Sequence, residues 1–216
     1  GAMMIDQRNA GASYTTTSGT QYSLDRWYSY NSQASKYTIQ QSSTAPANFS
    51  NSLKVTVAAS SYTPAASEIF DIEQRIEGFN FADMAWGTAN AKTITISFWV
   101  YSSLTGTFGG ALENSAADRS YPFTYTISAA NTWEQKTITI AGDTSGTWVG
   151  ATNGIGLKVC WSIATGSTYT GPANAWASTT YTSATGSTNI LGTANATWYI
   201  TGVQLEKGST ATSFDY

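Results

Sequence analysis

The sequence predicts an all-β fold built from packed antiparallel sheets, and three observations support this prediction. Of the 216 residues, 41% are hydrophobic and 13% aromatic, whereas only 11% are charged, well below the roughly 25% of an ordinary soluble domain. The helix-forming residues Glu, Lys, Arg and Leu are scarce, and β-branched and aromatic residues are abundant. Hydrophobic and polar side chains also alternate in several segments, which are separated by stretches rich in Gly, Ser, Thr and Asn.

Five segments show the alternation expected of strands that are buried on one face. They are residues 53–57, 69–77, 93–101, 135–140 and 157–163. The side chains predicted to face the core are Leu53, Val55, Val57, Phe70, Ile72, Ile76, Ile94, Ile96, Phe98, Val100, Lys136, Ile138, Ile140, Leu157, Val159, Trp161 and Ile163. The side chains between them are predicted to face outward, among them Asp71, Glu73, Arg75, Trp99, Tyr101, Gln135 and Cys160.

Short strands at this spacing, without an amphipathic helix between them, predict an antiparallel β-sandwich of jelly-roll type. Residues 82–90 and 165–193 are predicted to form long loops, which in compact domains are often functional. No internal repeat or long linker marks a boundary, so residues 4–216 are predicted to form a single domain. Gly1-Ala2-Met3 resembles the remnant of a cleaved expression tag, so the native chain is expected to extend further upstream.

The composition argues against several classes of function. The chain has no histidine, which excludes Ser-His-Asp and Cys-His nucleophilic machinery and every His-ligated zinc site. The single cysteine, Cys160, cannot form an internal disulfide and is interpreted as a buried structural thiol. The net charge of -3 and the lack of a long apolar run predict neither nucleic-acid binding nor membrane insertion. Carboxylate chemistry and a calcium site made of oxygen ligands remain open.

Three groups of segments carry a resemblance to a known family. They are Asp6-Gln7-Arg8 with Tyr-Ser-Leu-Asp-Arg-Trp-Tyr at 22–28, Asp-Ile-Glu-Gln-Arg-Ile-Glu-Gly at 71–78 with Lys-Thr-Ile-Thr-Ile-Ser-Phe-Trp-Val at 92–100, and Trp-Tyr-Ile-Thr-Gly-Val-Gln-Leu-Glu-Lys-Gly at 198–208. In this order they resemble the carbohydrate-binding-module-like jelly-roll domains near the C-termini of bacteriophage tail fibres and related virion proteins. The middle group is also similar to jelly-roll carbohydrate-binding modules attached to glycosidases.

The resemblance implies a non-catalytic domain of a virion appendage that binds glycans on the host cell surface. Such virion domains also often pack against their neighbours or form trimers. A structural role, with a homotrimer in the full-length fibre, is therefore the alternative that the resemblance implies.

Sugar recognition needs an apolar platform for the C–H face of a pyranose ring and planar polar groups for its hydroxyls. Trp99 and Tyr101 face outward and are the candidate platform, unless a loop or another subunit covers them. Arg75, Glu73 and Asp71 lie on the outward face of a strand that we expect to neighbour Trp99, and their charged groups suit sugar hydroxyls. An Arg–Glu pair that is satisfied within the sheet is the alternative interpretation.

Three more residues complete the predicted ligand site. Gln135 lies on an outward face and offers a polar contact. Trp86 and Trp176 lie in the two long loops, where an aromatic side chain either contacts a ligand or closes the end of the sandwich. No catalytic residue and no metal ligand is predicted.

Two further possibilities are kept open. Binding modules of the resembling family often carry a structural calcium ion, although no Asp-x-Asp cluster of a calcium site occurs here. A glycosidase would draw two carboxylates from Asp71, Glu73, Glu77 and Glu113, and would need them about 5–9 Å apart across a cleft. Residues 71 and 73, two apart on one strand face, are about 7 Å apart, which is compatible with this requirement.

Overall fold

The computed structural model describes all 216 residues, and its regular structure consists of strands and four single-turn 3₁₀ helices. The strands are β1 (Tyr14–Thr15), β2 (Gly19–Tyr22), β3 (Trp27–Asn31), β4 (Tyr37–Ser42), β5 (Ser52–Val57), β6 (Ile69–Glu77), β7 (Ile94–Ser102), β8 (Gly106–Glu113), β9 (Ser120–Ile127), β10 (Glu134–Ile140), β11 (Ile155–Thr165), β12 (Thr170–Gly171), β13 (Ser183–Ala184) and β14 (Thr197–Lys207). The 3₁₀ helices are Gly78–Asn80, Ala82–Met84, Ser167–Tyr169 and Ile190–Gly192.

Twelve of the strands form two six-stranded antiparallel sheets, which confirms the predicted all-β sandwich. The first sheet has the order β1-β4-β5-β14-β7-β10, and the second sheet has the order β2-β3-β6-β11-β8-β9. The short strands β12 and β13 pair in parallel within the long loop. None of the helices has the length and apolar character that a membrane crossing requires.

The core lies between the two sheets and comprises 35 buried hydrophobic residues. Trp161 of β11 lies at its centre, fully buried, with its ring 5.5 Å from that of Trp27 and 5.7 Å from that of Phe98. Every predicted inward residue of 53–57, 94–100 and 157–163 is buried, so the alternation located these core faces correctly.

Three residues that were predicted to face the core are only half-buried. Lys136 and Ile138 belong to β10, which is the edge strand of the first sheet and has a neighbour on one side only. Ile76 lies where the pairing of β6 with β11 shifts register, between Ile155 and Leu157. A register shift turns the side chain partly out of the core and toward the surface.

The outward faces of both sheets are partly covered by other segments of the chain. On the first sheet, residues 212–215 fold back against β14, where Gln204 and Glu206 hydrogen-bond to them, and Thr95 Oγ1 of β7 donates a hydrogen bond of 2.8 Å to the Gly208 carbonyl. On the second sheet, the 165–193 segment lies over β8 and β9, where Ser120 and Ala177 form an isolated antiparallel bridge. Side chains that face outward according to the alternation along the strand, such as Cys160 and Ser162, are therefore buried.

The predicted adjacency of the Arg75 strand and the Trp99 strand is wrong. Arg75 lies on β6, which pairs with β3 and β11 in the second sheet. Trp99 lies on β7, which pairs with β10 and β14 in the first sheet. Their outward faces are thus on opposite sides of the sandwich, because local alternation fixes the face of a residue but not the partner of its strand.

We predict that Trp161→Ala lowers the free energy of unfolding by roughly 3–5 kcal/mol, because it opens a cavity at the centre of the core. Trp99→Ala removes the same side chain from a half-buried outward position and is expected to cost less than half as much. Urea denaturation of the two variants and the wild type measures both changes. Equal losses for the two variants would contradict the assignment of inward and outward faces.

Candidate functional site

An open groove with a volume of about 300 Å³ lies on the outward face of the second sheet, at the end formed by β2, β3 and β6. We call it the tyrosine groove. Its lining residues are Tyr22, Arg26, Tyr28, Arg75, Ile76, Glu77, Asn153, Gly154 and Ile155. The groove combines aromatic rings, two guanidinium groups, a carboxylate and an amide on a surface that the 165–193 segment leaves open.

Two tyrosines form the aromatic wall of the tyrosine groove. Tyr22 and Tyr28 are directly opposite each other on β2 and β3, with ring centroids 4.0 Å apart and hydroxyl groups hydrogen-bonded. Tyr22 is 44% exposed, which leaves its ring available to a ligand. Burial and the hydrogen bond to Tyr22 raise the pKa of Tyr28 to about 12, so the phenol stays neutral and can donate.

Arginine side chains lie against both rings. The Arg8 guanidinium is 4.3 Å from the centre of the Tyr22 ring, and the Arg75 guanidinium is 4.2 Å from that of Tyr28. Arg75 also forms an ion pair with Glu73, its neighbour two residues away on β6. Stacking and ion pairing hold the Arg75 fork in place, and a fixed planar donor is well suited to oxygen-rich ligands.

Acidic groups lie buried beside the groove on the same sheet face. Burial raises the pKa of Glu113 to about 7, and Lys158, 3.5 Å from its carboxylate, only partly offsets the effect. Burial also raises the pKa of Asp71 well above its ordinary value, and the neighbouring Glu73 and Glu113 charges add to the rise. Desolvation disfavours the charged form of a carboxyl group, so these two acids are held in or near their neutral state.

The first-sheet residues of the predicted site lie on the far side of the molecule from the groove. Gln135 is exposed and directly opposite Trp99, while Trp99 is half-buried. Tyr101 packs between Trp133, at 5.5 Å between ring centroids, and Tyr199, at 5.0 Å. The structure therefore brings Trp99, Tyr101 and Gln135 together, but separates them from the charged residues that were expected beside them.

Trp86 and Trp176 lie in a cluster of aromatic side chains that closes one end of the sandwich. Trp86 is only 6% exposed, and its ring contacts those of Phe81, Trp148 and Trp176 at centroid distances of 4.8, 4.8 and 5.1 Å. The indole N–H of Trp86 donates to the Lys92 carbonyl at 2.7 Å, and that of Trp176 donates to the Ala141 carbonyl at 2.9 Å. Of the two interpretations of these loop aromatics, the structure supports the one in which they close the sandwich.

Tyr22 and Tyr28 were not among the ligand-binding residues predicted from the sequence. Tyr28 and Tyr30 alternate with the buried Trp27 and Ser29, so the β3 pattern carried the necessary signal. The strand has only five residues and follows a tight turn in which Arg26 has a φ of 69°. Tyr22 depends on the pairing of β2 with β3, which a single sequence does not reveal.

The acidic residues that converge in the structure do not form the calcium site that the resemblance implies. Calcium takes six to eight oxygen ligands, usually from flexible loops. The acidic groups that converge here, Asp71 and Glu73, lie on a regular strand and meet the thiol of Cys160. A sulfur ligand does not suit calcium, so this group does not fit a calcium ion.

No protein-family model matches the chain, and no curated protein sequence matches it. Among solved structures, a putative sugar binding protein from Bacteroides thetaiotaomicron is similar over 95% of this chain and 99% of its own, with a TM-score of 0.51 and 11% identity. The enzymatically active domain of tailspike protein 4 from bacteriophage CBA120 is similar over 84% of this chain, with a TM-score of 0.47 and 11% identity. This chain spans only 19% of that tailspike chain.

The tandem carbohydrate-binding domain CBM22-1-CBM22-2 of Xyn10C from Paenibacillus barcinonensis is similar over 94% of this chain and 51% of its own, with a TM-score of 0.47 and 14% identity. At identities this low, the likenesses show a shared fold alone. The chain shares its β-sandwich fold with the putative sugar binding protein from Bacteroides thetaiotaomicron.

The buried acids make a contribution to stability that falls as the pH rises. The folded protein keeps a proton on Glu113 up to about pH 7, whereas the unfolded chain releases it near 4.5. The folded state therefore binds more protons in this window, and the free energy of unfolding decreases with pH, by an amount on the order of 3 kcal/mol for this group. Asp71 contributes with the same sign.

The buried N-terminal amino group, whose pKa burial lowers to about 5, contributes with the opposite sign between pH 5 and pH 8. Urea denaturation across this range therefore compares the wild type with Glu113→Gln, which cannot ionise and is expected to lack the falling contribution of Glu113. The same pH dependence in both proteins would contradict the assigned burial of Glu113.

Proposed function

We propose that this chain binds glycans through the tyrosine groove. The observation that carries the proposal is the contacting pair Tyr22 and Tyr28, flanked by the guanidinium groups of Arg8 and Arg75. Tyr22, which is 44% exposed, offers the apolar surface for the C–H face of a sugar ring, and the sugar shares or displaces the contact that Arg8 makes with this ring. The fixed guanidinium fork of Arg75, together with Glu77 and Asn153 in the lining, offers donors and acceptors for its hydroxyl groups.

The size and openness of the groove favour a short stretch of a longer glycan as the ligand. Its volume of about 300 Å³ is at the lower end of the range for small-molecule sites. A groove that is open to solvent allows a chain to continue beyond it on either side. The similar fold of the putative sugar binding protein from Bacteroides thetaiotaomicron supports the same ligand class.

The finer proposal is that the ligand is a glycan of a host cell surface and that the chain is part of a phage tail fibre or related virion appendage. The resemblance of the segments at 22–28, 71–78 and 198–208 to such domains supports it. We further propose that the domain is non-catalytic. Asp71 and Glu113, the carboxyl groups with raised pKa values, are buried beside the groove and do not line it.

A structural role in the same appendage is the second candidate, and one observation favours it. Met4 and Ile5 are exposed beside Phe214 and Tyr216 around an open, largely apolar cavity of about 590 Å³. Exposed apolar patches of this kind often mark contacts between proteins. Light scattering distinguishes the candidates: glycan binding by a monomer supports the groove, whereas a stable trimer without glycan binding supports packing.

We predict that Tyr28→Ala lowers glycan affinity at least tenfold. The substitution removes the ring that supports Tyr22 and the ring against which the Arg75 guanidinium packs. A glycan array or whole-cell binding assay selects the ligand, and calorimetry measures the change, in which a factor of ten corresponds to about 1.4 kcal/mol. Tyr28→Phe keeps the ring and is expected to lose less. Trp99→Ala, on the opposite sheet, is the matched control and is expected to bind like the wild type.

Two results would overturn the proposal at different levels. A loss of binding in Trp99→Ala with full binding in Tyr28→Ala would move the site to the first sheet. The absence of binding to every glycan and host cell would remove the function itself.

A further inference from the structure

Three side chains with metal-ligating atoms converge on the outward face of the second sheet, beside the tyrosine groove. Asp71 and Glu73 are two residues apart on β6 and share a face, and Cys160 on β11 is directly opposite Glu73. Their ligand atoms all lie within 4.8 Å of one another, and Cys160 Sγ is 3.9 Å from Glu73 Oε2. Tetrahedral zinc, with Zn–S of about 2.3 Å and Zn–O of about 2.0 Å, holds such atoms about 3.5 Å apart. The three ligand atoms therefore need to move only slightly closer together to bind a zinc ion.

The charges of this cluster are incompletely balanced. Asp71, Glu73 and Cys160 are 2%, 6% and 1% exposed, so water does not stabilise their charged forms. Arg75 pairs with Glu73, and Lys158 lies 3.5 Å from the nearby Glu113 carboxylate, whereas Asp71 has no cationic partner. With every acid and the thiol ionised, two negative charges remain uncompensated. One divalent cation neutralises them and displaces the protons that otherwise occupy the site.

Glu113 provides an independent indication of a ligand. It is 4% exposed, and its Oε1 atom is buried without a hydrogen-bond partner. It lies on β8, opposite Lys158 and diagonal to Cys160. Lys158 and Cys160 are two residues apart on β11, so Glu113 lies on the same sheet face as the cluster. Glu113 Oε1 is the only carboxylate oxygen among the seven buried side-chain atoms without a partner, and it is free to accept from or bind an additional group.

We propose that Asp71, Glu73 and Cys160 bind a thiophilic divalent cation such as zinc. Glu113 is outside the group of ligand atoms that lie within 4.8 Å of one another, so its carboxylate has to move to become the fourth ligand. The thiolate selects soft and borderline metals over calcium and magnesium. Because the chain has no histidine, sulfur and carboxylate oxygen are its only strong side-chain ligands.

Glu73 connects the metal site to the groove. Its Oε1 atom pairs with Arg75, while its Oε2 atom faces the thiol of Cys160. A metal at Oε2 leaves the Arg75 pair intact and fixes the carboxylate from the other side. The bound cation therefore holds Arg75 in its position over the Tyr28 ring. This inference does not depend on glycan binding, since the cluster is defined by its own geometry and charge.

Cadmium is the probe that tests the site most directly. The full chain, reduced and freed of metal with a chelator, is titrated with Cd²⁺ while ultraviolet absorption is recorded. We expect a thiolate-to-cadmium charge-transfer band that saturates at one equivalent, and Zn²⁺ is expected to compete it away. Cys160 is the only cysteine, so the band reports this residue alone. The absence of the band, or metal uptake without it, would overturn the proposal.

The carboxylate ligands are tested with the thiol left in place. Asp71→Asn is expected to weaken cadmium binding at least tenfold, measured from the same band. Glu77→Gln, which removes an exposed carboxylate from the same strand, is the matched control and is expected to change the affinity less than twofold. Equal affinity of Asp71→Asn and the wild type would overturn the assigned ligand set. If circular dichroism shows that Asp71→Asn does not fold, Glu73→Gln carries the same expectation.

Discussion

The packing of Trp161 between Trp27 and Phe98 is the contact on which the rest of the structure depends. It places the largest side chain of β11 at the centre of the inter-sheet core. Because successive side chains of a strand alternate, this contact also forces Lys158, Cys160 and Ser162 onto the outward face of the second sheet. A slip of one residue would exchange the two faces of the strand.

The same constraint acts on β6, where the buried Phe70 and Ile72 direct Asp71, Glu73 and Arg75 outward. The charged residues of the candidate site thus owe their position to the hydrophobic residues between them. The burial of Asp71 and Glu73 has another cause, because other segments of the same chain cover this part of the outward face. Where that cover ends, at β2 and β3, the tyrosine groove opens, and Glu73 lies at the boundary between the buried acids and the open surface.

The local parts of this architecture were predictable from the sequence. Alternation identified the core faces of β5, β7 and β11, because the burial of one sheet face leaves a two-residue period in the residues themselves. It also placed Arg75, Glu73 and Trp99 on outward faces. The pairing of strands was not predictable in this way, since β6 and β7 are consecutive long strands that belong to different sheets. The site prediction therefore joined side chains from opposite sides of the sandwich.

The burial of outward residues depends on long-range packing as well. Trp86 became part of the end cluster through contacts with Trp148 and Trp176, which lie far away in the sequence. Thr95 is covered by Gly208, at a sequence separation of 113 residues. No local pattern reports such contacts. The alternation of β3 did indicate that Tyr28 faces outward, but the pairing that brings Tyr22 beside it is not apparent from the sequence.

The central claim is that the outward face of the second sheet, at β2, β3 and β6, is the glycan-binding surface. Backbone amide chemical shifts recorded by NMR during a glycan titration test it without any substitution. The account predicts that the shifts that change cluster at residues 22, 28–30 and 73–77 and in the turn at 153–155. Changes confined to residues 99–101 and 133–135 on the first sheet would contradict it.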